Sequence, residues 1–153
     1  MRTVAVFLGG VALSYAVPMV LGHFLQPDSS QLVVKIFTTP PNSPEWPEIW
    51  RRWHHVNLVA LYVMAPLAGL VVGTFVGLLQ KHHAAAVAAS CLLPGFLDSF
   101  WADRAKSWAT SASGILFFIA VRSLPFVTAI LAATLCQRWL RTRRIAQAPA
   151  FLA

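Results

Sequence analysis

The stretch that most constrains the fold runs from Val56 to Leu79, twenty-four residues without one charged side chain. An α-helix rises about 1.5 Å per residue, so this segment can cross a bilayer core of about 30 Å. Within it, small residues recur at every fourth position, namely Ala65, Gly69, Gly73 and Gly77. Residues at this spacing share one helix face, where another helix can approach closely in lipid. We call this face the small-residue stripe and predict that it packs a membrane-spanning helix, with the alanine-rich segment 84–90 as its partner.

The composition extends this interpretation to the whole chain. Of the 153 residues, 58% are hydrophobic and 11% are charged, whereas soluble domains carry roughly 25% charged residues. A soluble fold of this length cannot hide so much apolar surface. Cys91 and Cys136 form neither a C-x-x-C motif nor a disulfide framework, so both are expected to fill the core. We predict a single membrane domain.

Four apolar runs predict an all-α, integral membrane four-helix bundle. The expected spans are 3–25, 56–79, 84–101 and 109–137, with a loop at 26–55 and a basic tail at 138–153. Ser14 and Ala16 would fit a signal-peptide cut, but the apolar run continues to Leu25, so a retained first helix is expected. The third run is short, and a re-entrant hairpin is its alternative.

The loop at 26–55 is expected to contain an interfacial helix. Ser43 and Pro44 have the composition of a helix start, with serine as the N-cap and proline in the first turn. Three tryptophans follow on one helix face and would anchor it at the membrane surface, namely Trp46, Trp50 and Trp53. The segment 32–37 favours a short strand or an amphipathic turn.

Each apolar run contains one proline, namely Pro18, Pro66, Pro94 and Pro125. A proline inside a helix removes one backbone donor and frees the carbonyl four residues earlier. Four kinked helices would leave irregular space at mid-depth. The sequence leaves open whether this space is a cavity or is filled by packed kinks.

The basic residues lie between and after the apolar runs, which is typical of membrane flanks rather than of nucleic-acid binding. With both termini in the cytoplasm of a bacterial inner membrane, the two sides carry six and five basic residues. The cytoplasmic set is Arg2, Lys81, Arg138, Arg141, Arg143 and Arg144, and the opposite set is Lys35, Arg51, Arg52, Arg104 and Lys106. The arginine cluster after the fourth span decides the orientation.

Arg122 is the most informative single residue, because it lies about 20 Å from either end of the fourth run. An arginine at mid-membrane costs on the order of 2.5–3.5 kcal/mol and usually faces the bundle interior. Asp98, near the end of the third run, is the acid toward which it should lean. Arg122 and Asp98 are therefore candidates for an anion or polar-ligand site, and the alternative is a structural arginine bonded to neighbouring backbone.

His23, His54 and His55 would lie at the same membrane surface and could supply axial ligands to a haem. Histidines at span ends are more often interfacial polar residues, so we predict no cofactor and keep haem as the alternative. The sequence contains no metal-ligand spacing of the Glu-x-x-His or His-x-x-x-His type.

The sequence contains no recognisable nucleophile–base pair, metal set or acid pair. We therefore expect a non-enzymatic accessory or scaffold subunit, with the lipid bilayer and a membrane protein or a second copy as partners and no nucleic acid. A small oligomeric channel or transporter around Arg122 is the alternative, and a membrane enzyme or haem protein is the third hypothesis.

Overall fold

The computed structural model describes residues 2–103 and 112–147, with side chains described at 2–99 and 112–143. Within these ranges all regular secondary structure is helical, so the predicted all-α class is confirmed for this part of the chain. The helices are α1 (Arg2–Leu25), α2 (Ser29–Thr38), α3 (Trp46–Val59), α4 (Ala65–Leu79), α5 (Ala84–Asp103), α6 (Ala112–Arg122) and α7 (Leu124–Gln147). A π-helical segment, Ala60–Met64, joins α3 to α4.

Three helices are long and apolar enough to cross a membrane: Arg2–Leu25, Trp46–Leu79 and Ala112–Arg143. In the most apolar 18-residue stretch of each helix, only 11%, 33% and 17% of the residues, respectively, are buried inside the protein. Many of the other apolar side chains of these helices are exposed, as lipid-facing residues are, among them Leu8, Met19, Leu70 and Leu131. The third predicted span, 84–101, is part of the continuous helix α5. The apolar portion of α5, Ala84–Ser99, is shorter than the three candidate spans. The first residues of the fourth predicted span, 109–111, lie outside the described residues.

The bundle is tightly packed in one half. Its core there consists of small and β-branched residues that are almost completely buried, including Val72, Val76, Ala84, Ala88, Cys91, Ala129 and Ala133. The closest helix pair is α4 with α7, and α1 and α5 pack against both the core and each other. Small side chains at these positions let the backbones approach closely, which is the usual basis of helix association in lipid.

Hydrogen bonds identify the two ends of the bundle. At one end, the side-chain amide of Gln80 donates to Thr3 Oγ1 (3.2 Å), and the side-chain amide of Gln137 donates to the backbone carbonyl of Gln80 (3.0 Å). The start of α1, the α4–α5 turn and the second half of α7 therefore meet there. At the opposite end, the side-chain amide of Gln26 donates to the backbone carbonyl of Val56 (2.9 Å), which connects the end of α1 to α3.

The loop between α1 and α3 differs from the sequence prediction in two places. The segment 32–37, expected as a strand or turn, lies in helix α2, because Leu32 is buried when α2 packs against α3. The next helix begins at Trp46 rather than at Pro44, after a turn in which the Trp46 N–H donates to the Ser43 carbonyl (3.1 Å). Pro47 occupies the first turn instead, where its missing N–H leaves no hydrogen bond broken.

Candidate functional site

A cavity of about 500 Å³ lies between the helices, in the half of the bundle away from the tight core. It is lined by Ser14, Tyr15, Pro18, Met19, Ala60, Leu61, Met64, Ala65, Ala68, Leu92, Gly95, Phe96, Ser99, Val121, Arg122, Pro125 and Phe126. All of these residues belong to α1, to the continuous helix Trp46–Leu79, which we call the long helix, to α5 or to the α6–α7 pair. We call this space the central cavity.

The central cavity lies beside the prolines of the helices. Pro18 and Pro125 line it directly, and Pro94 is adjacent to the lining residue Gly95. A Cβ added to Gly95 would meet nothing within 4 Å, so α5 has open space beside it there. Of the two outcomes the sequence left open for the kinked helices, the structure shows the cavity.

The π segment Ala60–Met64 forms one wall of the central cavity, and Pro66 explains its presence. Proline has no N–H, and in a regular helix its ring would collide with the Tyr62 carbonyl one turn earlier. The chain responds with a wider turn in which the Ala65 N–H donates to the Ala60 carbonyl. In a regular α-helix the Ala65 N–H would donate to the Leu61 carbonyl, so the Leu61 carbonyl loses this hydrogen bond. Single π turns of this kind are frequent at functional sites.

Arg122 lies in the wall of the central cavity at the end of α6 and is half-buried. Its guanidinium carbon is 5.6 Å from the centre of the Phe118 ring, a cation–π distance. Phe118 in turn contacts the Phe96 ring (5.8 Å), and Phe96 contacts Phe126 (5.6 Å). The arginine thus lies at the edge of an aromatic cluster, in the wall of the central cavity.

Asp98 is engaged by a residue that the sequence analysis did not single out. The Tyr15 hydroxyl donates to Asp98 Oδ2 (2.6 Å), joining α1 to α5 beside the central cavity. Tyr15 lines the cavity, and Asp98 is exposed on the adjoining surface. The signal that could have found Tyr15 is its position one turn before Pro18, inside an otherwise apolar run.

The structure places the small-residue stripe against α7. A Cβ added to Gly73 would lie 2.7 Å from the Ala129 Cα, and one added to Gly77 would lie 2.9 Å from the Ala133 Cα. At Gly69 the nearest atoms belong to Pro125 and Thr128. Ala65, the fourth member of the stripe, is half-buried and lines the central cavity. The predicted partner, the segment 84–90, is therefore not the helix that the glycines face.

Thr128 connects the stripe to the proline kinks. Its hydroxyl oxygen lies 3.0 Å from the carbonyl of Pro66, 3.0 Å from that of Pro125 and 3.2 Å from that of Leu124. A hydroxyl carries one hydrogen, so these three acceptors share a single donor. Thr128 therefore links α4 and α7 next to the π segment, at the boundary between the tight core and the central cavity.

The sequence analysis also missed a pair of glycines on α1. A Cβ added to Gly9 would lie 3.0 Å from Phe75 Cζ, and one added to Gly10 would lie 3.2 Å from Cys91 Cβ. Two adjacent glycines in an apolar run were the signal, because they open neighbouring faces of one helix at the same depth. They let α1 approach α4 and α5 together.

The tryptophans and histidines lie away from the central cavity. The rings of Trp46 and Trp50 are stacked with centres 6.2 Å apart, and Trp50 is exposed. His23, His54 and His55 are exposed, at the end of α1 and on α3. Among the described residues no group of three histidine, cysteine or acidic side chains could hold a metal ion. The prediction that no cofactor is bound, with haem as its alternative, stays untested.

The elements and side chains above define a membrane-type helical protein with one central cavity as its candidate site. No protein-family model, curated protein or solved structure matches this chain.

Proposed function

We propose that this chain is a polytopic membrane protein of the transport class, which binds a ligand with an anionic group in the central cavity. The observation that supports this best is that Arg122 lies in the wall of a cavity of about 500 Å³. Ligand sites of this size are typically apolar with a few placed polar groups. An arginine inside a membrane-embedded bundle is costly and commonly marks a substrate or ion pathway.

The packing also suggests how such a site would work. The tight core, where Val72, Val76 and Ala129 are fully buried, closes the central cavity at the end that contains Gln80. A carrier that works by alternating access has a central site closed toward one side of the membrane in each of its two open states. The π segment in its wall is a second feature that suits a carrier, because irregular backbone at membrane depth occurs where it lines a cavity.

The membrane arrangement forms part of the proposal. We propose that α5 crosses the bilayer beside the three longer apolar helices, and that both termini are cytoplasmic in a bacterial inner membrane. The end that contains Gln80 and Gln137 would then face the cytoplasm, and the central cavity would lie in the opposite half.

In the alternative hypothesis of an accessory or scaffold subunit, the small-residue stripe is a surface for a partner. Because Gly69, Gly73 and Gly77 pack against α7, we prefer the transport proposal.

The first test measures whether Arg122 faces the central cavity. In a background with Cys91 and Cys136 replaced by serine, Arg122→Cys should react with a negatively charged, water-soluble methanethiosulfonate reagent. Ala129→Cys, in the fully buried core of the same helical pair, is the matched control and should react much more slowly. Equal protection of both cysteines would show that the arginine does not line an accessible site, and the proposal would fail.

The second test measures transport. Proteoliposomes containing the wild-type protein should show flux of a carboxylate probe such as benzoate, and Arg122→Leu should abolish most of it. Arg141→Leu removes the same charge from the exposed tail of α7 and should leave the flux unchanged. A wild-type protein without flux, or an Arg122→Leu variant with full flux, would contradict a transport role.

A further inference from the structure

Most of the wall of the central cavity is apolar. The contributing side chains belong to the long helix, α5 and α7, and they are Met64, Ala65, Ala68, Leu92, Phe96 and Phe126. A hydrated inorganic ion would lose water contacts here and gain few polar ones, which is unfavourable. A hydrocarbon chain would instead replace empty space with van der Waals contacts. The body of the ligand should therefore be apolar.

Few side chains of the wall are polar. Arg122 supplies a positive charge and Ser99 a hydroxyl, whereas the hydroxyls of Ser14 and Tyr15 donate to the Val11 carbonyl and to Asp98. A guanidinium is planar and matches a carboxylate or a phosphate with two parallel hydrogen bonds. This combination suits a ligand with a single acidic group at one end of its apolar body.

The central cavity also reaches the outer surface of the bundle. Two residues of its α1 wall are strongly exposed, Met19 at 78% and Tyr15 at 43%. Both lie in the second half of α1, which is the least buried of the three helices that are able to span a membrane. At that depth the surroundings of the bundle are lipid. A ligand can therefore leave or enter past α1 without passing through water.

From these three observations we infer that the ligand is a single-chain amphiphile with an acidic headgroup, a carboxylate or a phosphate, which enters the central cavity sideways from the bilayer past Tyr15 and Met19. This inference rests on the proposed function, because it specifies the ligand of the same site. The acidic group binds at Arg122, and the chain lies along the apolar wall that the π segment and Phe96 form.

The test uses the full chain in nanodiscs of zwitterionic phosphatidylcholine, so that no detergent competes for the cavity. Thermal unfolding is titrated with dodecanoate, dodecyl phosphate, dodecanol, acetate and inorganic phosphate. Dodecanoate, dodecyl phosphate or both should raise the melting temperature, whereas the uncharged and the short probes should not. Arg122→Gln should weaken the binding of the acidic amphiphile about tenfold, since a hydrogen bond to a charged group contributes on that order. Arg122→Lys should recover part of the loss, and Arg141→Gln should behave as wild type.

Each other outcome has a definite meaning. If acetate or phosphate binds as strongly as the amphiphiles, the ligand is a small soluble anion: the inference is overturned and the proposed function stands. If dodecanol binds as well as dodecanoate, Arg122 does not recognise the headgroup and the inference also fails. If no probe binds, the inference is wrong, and the reactivity of Arg122→Cys decides the proposed function independently. Should Arg122→Gln not fold, the comparison of dodecanoate with dodecanol on the wild-type protein still decides.

Discussion

At the scale of single residues, Gly73 and Gly95 show how differently two helical glycines can act. Gly73 lies where a Cβ would come within 2.7 Å of the Ala129 Cα, whereas a Cβ at Gly95 would meet nothing within 4 Å. The first glycine is required by a close approach of two backbones. The second lacks such a contact and weakens helix α5 through its conformational freedom.

We predict that Gly73→Ala destabilises the protein, because α4 and α7 must move apart to admit the methyl group. Overpacking of a tight core typically costs about 1–3 kcal/mol, and Gly73→Leu should reach or exceed the upper end. Gly95→Ala is the matched control and should stabilise by about 0.5–1 kcal/mol. Leu70→Phe, at a half-exposed position off the stripe, should change little. Chemical unfolding in mild detergent measures all four; equal effects of Gly73→Ala and Gly95→Ala would show that the stripe is not a packing seam.

At the scale of the elements, the most informative position is the junction of α4, α7 and the π segment. Pro66 and Pro125 stand on facing helices, and both of their carbonyls are within hydrogen-bonding distance of the one hydroxyl of Thr128. In lipid no water replaces a lost donor. The junction therefore depends on this side chain more than a surface helix depends on its threonines.

Thr128→Val keeps the shape of the side chain and removes the shared donor. It should destabilise the protein by about 0.6–1.7 kcal/mol, the range found for side-chain hydrogen bonds between membrane helices. Thr134→Val is the matched control on the same helix, since its hydroxyl is exposed and bonds only to the Leu131 carbonyl of its own turn (2.9 Å). Thermal unfolding of the two variants compares them, and a Thr134→Val effect as large as that of Thr128→Val would contradict the role of the junction.

The elements also show where sequence reasoning reaches its limit. Length and charge were enough to locate the long apolar helices, because both are local properties of a run. The spacing of Gly69, Gly73 and Gly77 indicated which face is small, but no local signal states which helix lies against it. The segment 32–37 is rich in β-branched residues, and its helical form depends on packing against α3. Pro66 predicted an irregular turn, although its π form depends on the surrounding helices.

For the candidate site too, local features of the chain could be predicted from the sequence, whereas the arrangement of the helices could not. The position of Arg122 in the middle of an apolar run was readable from the sequence, as was the presence of a proline in each run. The sequence could not show that these features enclose one cavity, because that depends on the relative placement of all the helices. Tyr15 was missed for the same reason, since its hydrogen bond to Asp98 joins residues 83 positions apart.

At the scale of the whole molecule, the two ends of the bundle should lie on opposite sides of the membrane. The proposed topology predicts that a reporter fused after Ala153 is active only in the cytoplasm, and that one inserted into the loop 26–55 is active only outside. In the proposed topology, Arg138, Arg141 and Arg143 would hold that end inside by the positive-inside rule, because they follow the last apolar segment. Replacing all three by glutamine should weaken or reverse the preference, whereas replacing Arg51 and Arg52 should not. An external C-terminal reporter on the wild-type chain would overturn the orientation.

The unbroken helix from Trp46 to Leu79 has a mechanical consequence. Its 34 residues extend over about 51 Å, which exceeds the bilayer core by about 20 Å. Its first part, α3, packs against α2, and its last part, α4, is fixed by the glycine contacts with α7. Along this fully described helix the π segment is where regular backbone geometry is interrupted, and it forms a wall of the central cavity. If the proposed ligand binds there, we expect that filling the central cavity changes the angle between the helix segments before and after the π segment, and that a force on the first segment changes the shape of the cavity.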